Sequence, residues 1–390
     1  MRTLIALGAL VLVAAFAAGC GSSGDSTTST TSASGGKVRL GMEGPLSGDQ
    51  KVTGVGMLYG AQLAAEQLNA KGGIDGRQVE IVPIDDAADA PTGVKAANAA
   101  IKAGLDGVVG PYNSGVGVKT LPLYEKAGLV PIRLTSDSAT NGMGFTLQPM
   151  DYQIAPVASK ALTKWLKAKS VAIAYDPTQN YTTSVSAALK KNLEAAGVKI
   201  TAFEKVKPGA KDYSSTVKQL AATNPDVIYA ATYFPEGGLI AKAMLDQKVQ
   251  AKCVADYASA DPGFVTTAGT KAARNCPVVG VPSPQDFPHA TQFHADYEKK
   301  FHQSPGTWSP YVFDSVNILA DAVKQAGGFD SAKLDAALKA EKDWPGITGS
   351  VTIDPSNGNR DPATVVLLDT SPTGELTVDQ GWAKAVGAPY

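Results

Sequence analysis

Short polar loops following apolar, β-rich runs hold the residues of this chain best suited to chemistry. Gly44-Pro45-Leu46-Ser47-Gly48, Gly110-Pro111-Tyr112-Asn113-Ser114-Gly115 and Thr135-Ser136-Asp137-Ser138 occupy such positions in the first part of the chain. Asp176-Pro177-Thr178-Gln179-Asn180-Tyr181, Tyr233-Phe234-Pro235-Glu236 and Asp256-Tyr257-Ala258-Ser259 do so further on. Hydroxyls and backbone amides at helix starts form a ready site for a carboxylate, because the first amides of a helix lack intrahelical partners and its dipole favours negative charge. Ser114, Ser136 and Asp256 would serve equally as helix caps, where the same residue types are preferred. Six such loops at one set of strand ends favour a binding site over a set of unrelated caps. Catalysis has less to stand on. The chain has no P-loop, no His-Glu-x-x-His and no Gly-x-Ser-x-Gly, and Gly54-Val55-Gly56 with Gly60 misses the dinucleotide fingerprint by one residue. A secreted enzyme on this scaffold would need histidines or paired acids among these loops, and neither is there.

These loops need a scaffold, and the pattern of the chain supplies one. Strands are predicted at Val38–Met42, Val79–Ile84, Gly107–Gly110, Val130–Leu134, Val171–Tyr175, Ile200–Glu204, Val227–Thr232 and Val278–Val281, with helical segments between them. The first helix is expected over about Gly56 to Ala70, where Leu58, Ala61, Ala64, Ala65 and Leu68 recur at helical spacing before the Gly72-Gly73 stop. Strand–helix alternation implies parallel sheets covered on both faces, with ligands outside the carboxyl ends of the strands. Two groups of units, roughly 37–148 and 150–282, imply two similar lobes. The remainder breaks the rhythm, with helices near 288–303, 309–326 and 331–341 and β-like runs at Ser350–Ile353 and Thr364–Asp369 that must return to the lobes already built.

Residues 1–36 read as an address. A positive start at Met1-Arg2 and an apolar run from Leu4 to Ala18 precede Ala17-Ala18-Gly19-Cys20, the layout of a secretory signal peptide. The run is shorter than the roughly 20 apolar residues of a spanning helix. Cys20 directly after Ala-Ala-Gly resembles the bacterial lipobox, in which the thiol is lipidated and becomes the mature N-terminus. Gly21 to Gly36 is Ser, Thr, Gly and Ala with one charge, Asp25, a flexible tether of roughly 20–25 Å typical span. The folded part is therefore expected outside the cytoplasm, on the membrane face. Formal net charge is −1 with 35 basic and 36 acidic residues, which gives no support to nucleic-acid binding. After Cys20 only Cys253 and Cys276 remain. In an oxidising compartment this isolated pair is expected as one disulfide. A metal site there would need further ligands, and His289, His294 and His302 fit a solvated helix better.

The chain from 37 to 390 resembles the branched-chain amino-acid (leucine/isoleucine/valine) type of periplasmic substrate-binding protein that serves ABC importers. The resemblance rests on Gly44-Pro45-Leu46-Ser47-Gly48, on Gly60-Ala61 through Asn69-Ala70-Lys71-Gly72-Gly73-Ile74-Asp75-Gly76, and on Asp85-Asp86. Gly110-Pro111-Tyr112-Asn113-Ser114 and Gly346-Ile347-Thr348-Gly349 complete it. It implies an α/β fold of two Rossmann-like lobes, type I among periplasmic binding proteins, joined by three hinge crossings near Gln148–Met150, Pro282–Asp286 and Arg360–Ala363. The first lobe would comprise 37–149 and 284–361, the second 150–283 and 362–390.

The same resemblance implies a ligand set. Asn113 and Ser114 would bind a carboxylate at a helix start, Thr135 and Asp137 would add contacts from the next loop, and Thr53 would form a wall. Tyr181 and Tyr233 would cover the ligand from the second lobe. The acidic partner of an α-ammonium would fall on or beside Asp256-Tyr257. Asp137 stands where a threonine is usual, so either it or Asp256 is the counter-ion, and Asp137 as a turn cap is the plainer alternative. A buried carboxylate there implies a cationic group on the ligand. The resemblance further implies a monomer without cofactors or enzymatic activity, handing an amino acid or similar small polar solute to a membrane permease and its ATPase subunits. A lipoprotein that senses the ligand and signals to a membrane receptor would read the same.

Overall fold

The computed structural model describes residues 36–386. Cys20, the signal peptide and the tether up to residue 35 lie outside the described residues. The chain runs β1 (Val38–Gly44), α1 (Lys51–Ala70), β2 (Val79–Asp85), α2 (Ala90–Lys102), β3 (Gly107–Val109), α3 (Ser114–Lys126), β4 (Pro131–Arg133) and β5 (Phe145–Thr146). It then crosses over to α4 (Asp151–Lys160), β6 (Ser170–Tyr175), α5 (Asn180–Ala195), β7 (Lys199–Lys205), α6 (Ser214–Ala221), β8 (Val227–Ala231), α7 (Phe234–Asp246), β9 (Lys252–Ala255), α8 (Pro262–Ala268), α9 (Thr270–Ala273) and β10 (Val278–Gly280). A third passage comprises α10 (Thr291–Phe301), α11 (Ser309–Ala326), α12 (Ser331–Lys339), β11 (Trp344–Gly346), β12 (Gly349–Val351), β13 (Ile353–Asp354) and β14 (Asn359–Arg360). β15 (Val366–Thr370), β16 (Leu376–Val378) and α13 (Gln380–Val386) follow.

Two seven-stranded sheets result, in the orders β13-β14-β5-β4-β3-β1-β2 and β16-β15-β10-β9-β8-β6-β7. The first five strands of each lobe pair in parallel. Helices cover both faces of such sheets, so β6 and β8 are apolar nearly throughout rather than alternating, and β1 is buried nearly throughout. Both sheets are finished by strands from the last passage: β14 runs parallel to β5, and β15 antiparallel to β10. The first chain reversal in strand order falls between β1 and β3 in one lobe and between β6 and β8 in the other. That is the switch point where open α/β sheets leave a crevice at their carboxyl ends.

Three segments join the lobes, after β5, β10 and β14, and buried side chains bind them together. Arg360 donates to the carbonyls of Leu147 (3.2 Å), Thr348 (3.0 Å) and Ser350 (2.8 Å), tying the first crossing to the third. Gln153 Nε2 donates to the Arg360 carbonyl at 3.1 Å, and Ser283 Oγ donates to the Leu376 carbonyl at 2.6 Å. In the second lobe Cys253 and Cys276 are bonded, with Cα atoms 4.6 Å apart. Among the described residues no helix is long and apolar enough to cross a membrane.

The first helix begins at Lys51, five residues before the start read from its periodicity. Gly54 and Gly56 are the reason, since they carry no side chain that would mark an apolar face. β9 has no counterpart among the predicted strands, being only Lys-Cys-Val-Ala in length.

Candidate functional site

β3 ends at a residue that must be glycine. Gly110 has φ +102° and passes so close to β1 that a Cβ would lie 2.1 Å from the Glu43 carbonyl oxygen. The chain then turns through Tyr112 and Asn113 into α3, whose N-cap residue Asn113 makes no side-chain capping bond. The Ser114 and Gly115 amides are thus kept for another partner, while that of Val116 donates to the Asn113 carbonyl at 3.0 Å. Ser114, fully buried, stands there. Its Oγ accepts from the amides of Ser136 and Asp137, both at 3.2 Å. With its lone pairs so engaged, the hydroxyl proton is left to donate. Ser136 Oγ, beside it, is buried and unpartnered.

Tyr112, Ser114, Leu134, Ser136, Gln148, Tyr181, Tyr233, Tyr257 and Ala258 line a cavity of about 10 Å³ between the lobes, room for about one water. That is far below the roughly 300 Å³ at which ligand pockets usually begin, so the lobes here are closed upon each other with no room left for a solute. Its walls are aromatic. Tyr112 meets Tyr233 edge-on at 5.9 Å between ring centroids, and Trp308 packs against Tyr112 at 5.5 Å and Tyr257 at 5.1 Å. Tyr257 OH donates to Gln148 Oε1 at 3.3 Å, where the first crossing meets the second lobe. These rings are buried, so a ligand reaches the space only if the lobes part.

Of the residues expected to touch ligand, Ser114, Tyr181, Tyr233 and Tyr257 line this space. Asn113 is buried beside it, its Nδ2 donating to Gln50 Oε1 at 3.0 Å. The other four lie off the lining. Thr135 bonds Thr140 Oγ1 (2.8 Å) and accepts from the fully buried Arg133. Asp137 caps the short helical turn 138–140 through the Ala139 amide at 2.7 Å, the plainer of its two expected roles. Thr53 Oγ1 donates to Asp261 Oδ2 at 2.6 Å, a buried bond from one lobe to the other. Asp256 is fully buried behind Tyr181, whose hydroxyl donates to it at 2.9 Å, and Tyr229 OH donates to its other oxygen. Burial raises the Asp256 carboxyl above its usual range, partly offset by these two tyrosines.

Tyr112 and Ser136 lie in loops the sequence singled out. Gln148 comes from a crossing and Trp308 from the last passage, and neither carries a local signal. Among the described residues no three His, Cys, Asp or Glu side chains are grouped to hold a metal ion.

Two α/β lobes, three crossings and an enclosed polar-floored, aromatic-walled space at the facing strand ends define a protein that closes over a small solute. The periplasmic binding protein family model matches residues 37–368, and the chain belongs to that family of extracytoplasmic, non-enzymatic solute-binding proteins. It is 30% identical over 321 residues to the Leu/Ile/Val-binding protein BraC3 of Rhizobium johnstonii, covering 81% of this chain and 87% of that one. A Leu/Ile/Val-binding protein homolog 2 of Brucella abortus is 29% identical over 329 residues, with 81% and 86% covered. Among solved structures, the leucine-binding protein LivK of Thermotoga maritima superposes with TM-score 0.81 at 22% identity, over 88% of this chain and 97% of that one. The branched-chain amino-acid binding protein LivJ of Streptococcus pneumoniae, in complex with isoleucine, gives 0.79 at 24%, over 87% and 98%. A solute-binding protein of Rhodopseudomonas palustris in complex with 3,4-dihydroxybenzoic acid gives 0.77 at 21%, over 87% and 95%.

Proposed function

We propose that this protein captures a small carboxylate-bearing solute, an amino acid or a close analogue, between its lobes and delivers it to the permease of an ABC importer. One observation carries the reading. Ser114 Oγ accepts two amides and retains one proton, at an uncapped helix start inside an enclosed space. That is a donor-only floor, suited to an anion. The names of the relatives support an aliphatic amino acid. We further propose that the mature chain starts at Cys20, lipid-anchored, and that residues 21–36 tether the domain near its permease.

A second ligand class is favoured by the lining itself. None of the nine lining residues is acidic, and Asp256 is committed to Tyr181 and Tyr229. An α-ammonium group would therefore meet only neutral oxygens, of Gln148 and the tyrosines. An aromatic acid needs no counter-ion and would stack on Tyr112 and Tyr257, which Trp308 backs. A melting screen of branched-chain amino acids, aromatic amino acids and benzoic acids separates the two. Ligand at a hundred times Kd adds roughly 2.7 kcal/mol of stability. An unchanged melting temperature across the whole panel would refute the carboxylate reading. Mass spectrometry of the supernatant after denaturing freshly purified protein identifies any solute carried along.

A further inference from the structure

Behind the cleft floor lies a cation with no anion bonded to it. Arg133 ends β4 and is fully buried. Arg133, Thr146 and Asn359 stand in register across β4, β5 and β14, and Arg133 Nη2 donates across β5 to Asn359 Oδ1. Nη1 donates to the Thr135 carbonyl at 3.0 Å and the Thr135 hydroxyl at 3.2 Å, with Met150 Sδ at 3.6 Å. All four acceptors are neutral. Nε has no partner, and among the described residues no carboxylate forms an ion pair with the group. Burial lowers the guanidinium's pKa to about 9, against the fields of Tyr152 and Glu125, so it is charged at neutral pH.

A buried charge held by neutral oxygens alone is costly, and apolar packing would join the same strands at least as well. The effect of the charge can be traced bond by bond. The Thr135 carbonyl and the Ser136 amide are the two ends of one planar peptide. The carbonyl end accepts from Arg133, and the amide end donates to Ser114 Oγ at 3.2 Å. Ser114 in turn lines the cleft with one proton left to donate. A cation at the carbonyl end polarises the peptide, which strengthens its amide as a donor and, one bond further on, the Ser114 hydroxyl. Arg133 itself is not among the lining residues. On the carboxylate reading above, we propose that Arg133 is a positioning residue for the cleft floor. Acting through the Thr135–Ser136 peptide and the Ser114 hydroxyl, its charge makes the cleft select an anionic head group over a neutral one of the same shape.

The test compares acids with their amides. The full chain is titrated calorimetrically with L-isoleucine and L-isoleucinamide, and with 3,4-dihydroxybenzoate and 3,4-dihydroxybenzamide; any other carboxylate that shifts melting in the wider screen is paired with its amide in the same way. The wild type is expected to bind the acid at least about tenfold more tightly than the amide. Arg133→Met should weaken the acid by about tenfold and the amide by less than about twofold. Arg133→Lys, which restores the charge, should keep most of the preference. If Arg133→Met does not fold, Arg133→Gln, neutral yet able to donate to the Thr135 carbonyl, gives the same readout. A purely structural pin would weaken acid and amide by one common factor, or neither, and either result overturns the proposal. So does a wild type that binds acid and amide equally. A screen in which no carboxylate binds overturns the carboxylate reading and this inference with it, whereas an acid preference that survives loss of the charge overturns this inference alone.

Discussion

Thr53→Val tests how the lobes hold each other. Thr53 lies on α1 of the first lobe and Asp261 at the start of α8 in the second, and their 2.6 Å bond is buried. Asp261 has one other partner, the Gly263 amide at 2.8 Å. Burial alone pushes its carboxyl upward, and the Thr53 hydroxyl counters that. When the lobes part, both groups return to water, so the bond counts only towards closure. A hydrogen bond to a charged group is worth roughly 1.5–3 kcal/mol. Valine matches threonine in shape but cannot donate, so the closure equilibrium should fall by about 10- to 150-fold, and apparent affinity with it. Thr53 is not part of the cavity lining, so the loss should be the same factor for every ligand that binds. Isothermal titration with two chemically different ligands measures it. A loss within about twofold for both, or one that differs greatly between them, would refute the latch; the second outcome would make Thr53 a ligand contact instead.

Ser114→Ala removes the floor donor and leaves the Ser136 and Asp137 amides unpaired; binding should weaken at least tenfold by titration, with melting of the free protein changed by no more than a few degrees. Arg360→Met leaves the Leu147, Thr348 and Ser350 carbonyls without their donor, which should cost about 3 kcal/mol or more in denaturant unfolding. Thiol titration of the unfolded, non-reduced mature domain should find no reactive group at Cys253 or Cys276. Cys253→Ser with Cys276→Ser should cost roughly 3 kcal/mol, for a loop with 23 residues of separation.

The parallel cores were legible because a strand covered on both faces is an unbroken apolar run, as in Val171–Tyr175. The position of Ser114 was legible for a similar reason: it follows a short strand and opens a helix, a local order the sequence shows. The fates of Thr53, Asp137 and Asp256 were not. Each is a short polar side chain with a neighbouring amide or hydroxyl, and whether it faces ligand depends on which group the opposite element brings near. Asp256 meets Tyr181 from 75 residues away and Tyr229 from 27. Trp308 backs the cleft tyrosines Tyr112 and Tyr257 from the chain's third passage, at a distance that no local pattern encodes.

Each lobe is completed by strands borrowed from the last passage, β13 and β14 in one and β15 and β16 in the other. Neither can close its sheet while residues beyond about 350 are still being synthesised or threaded across a membrane. The short β5 and β10 edges, buried in the finished fold, stand open until then. N-terminal-first assembly of either lobe therefore cannot finish until the last passage has emerged. A nonsense change near residue 350 would leave two five-stranded, unfinished sheets rather than one intact lobe and one missing.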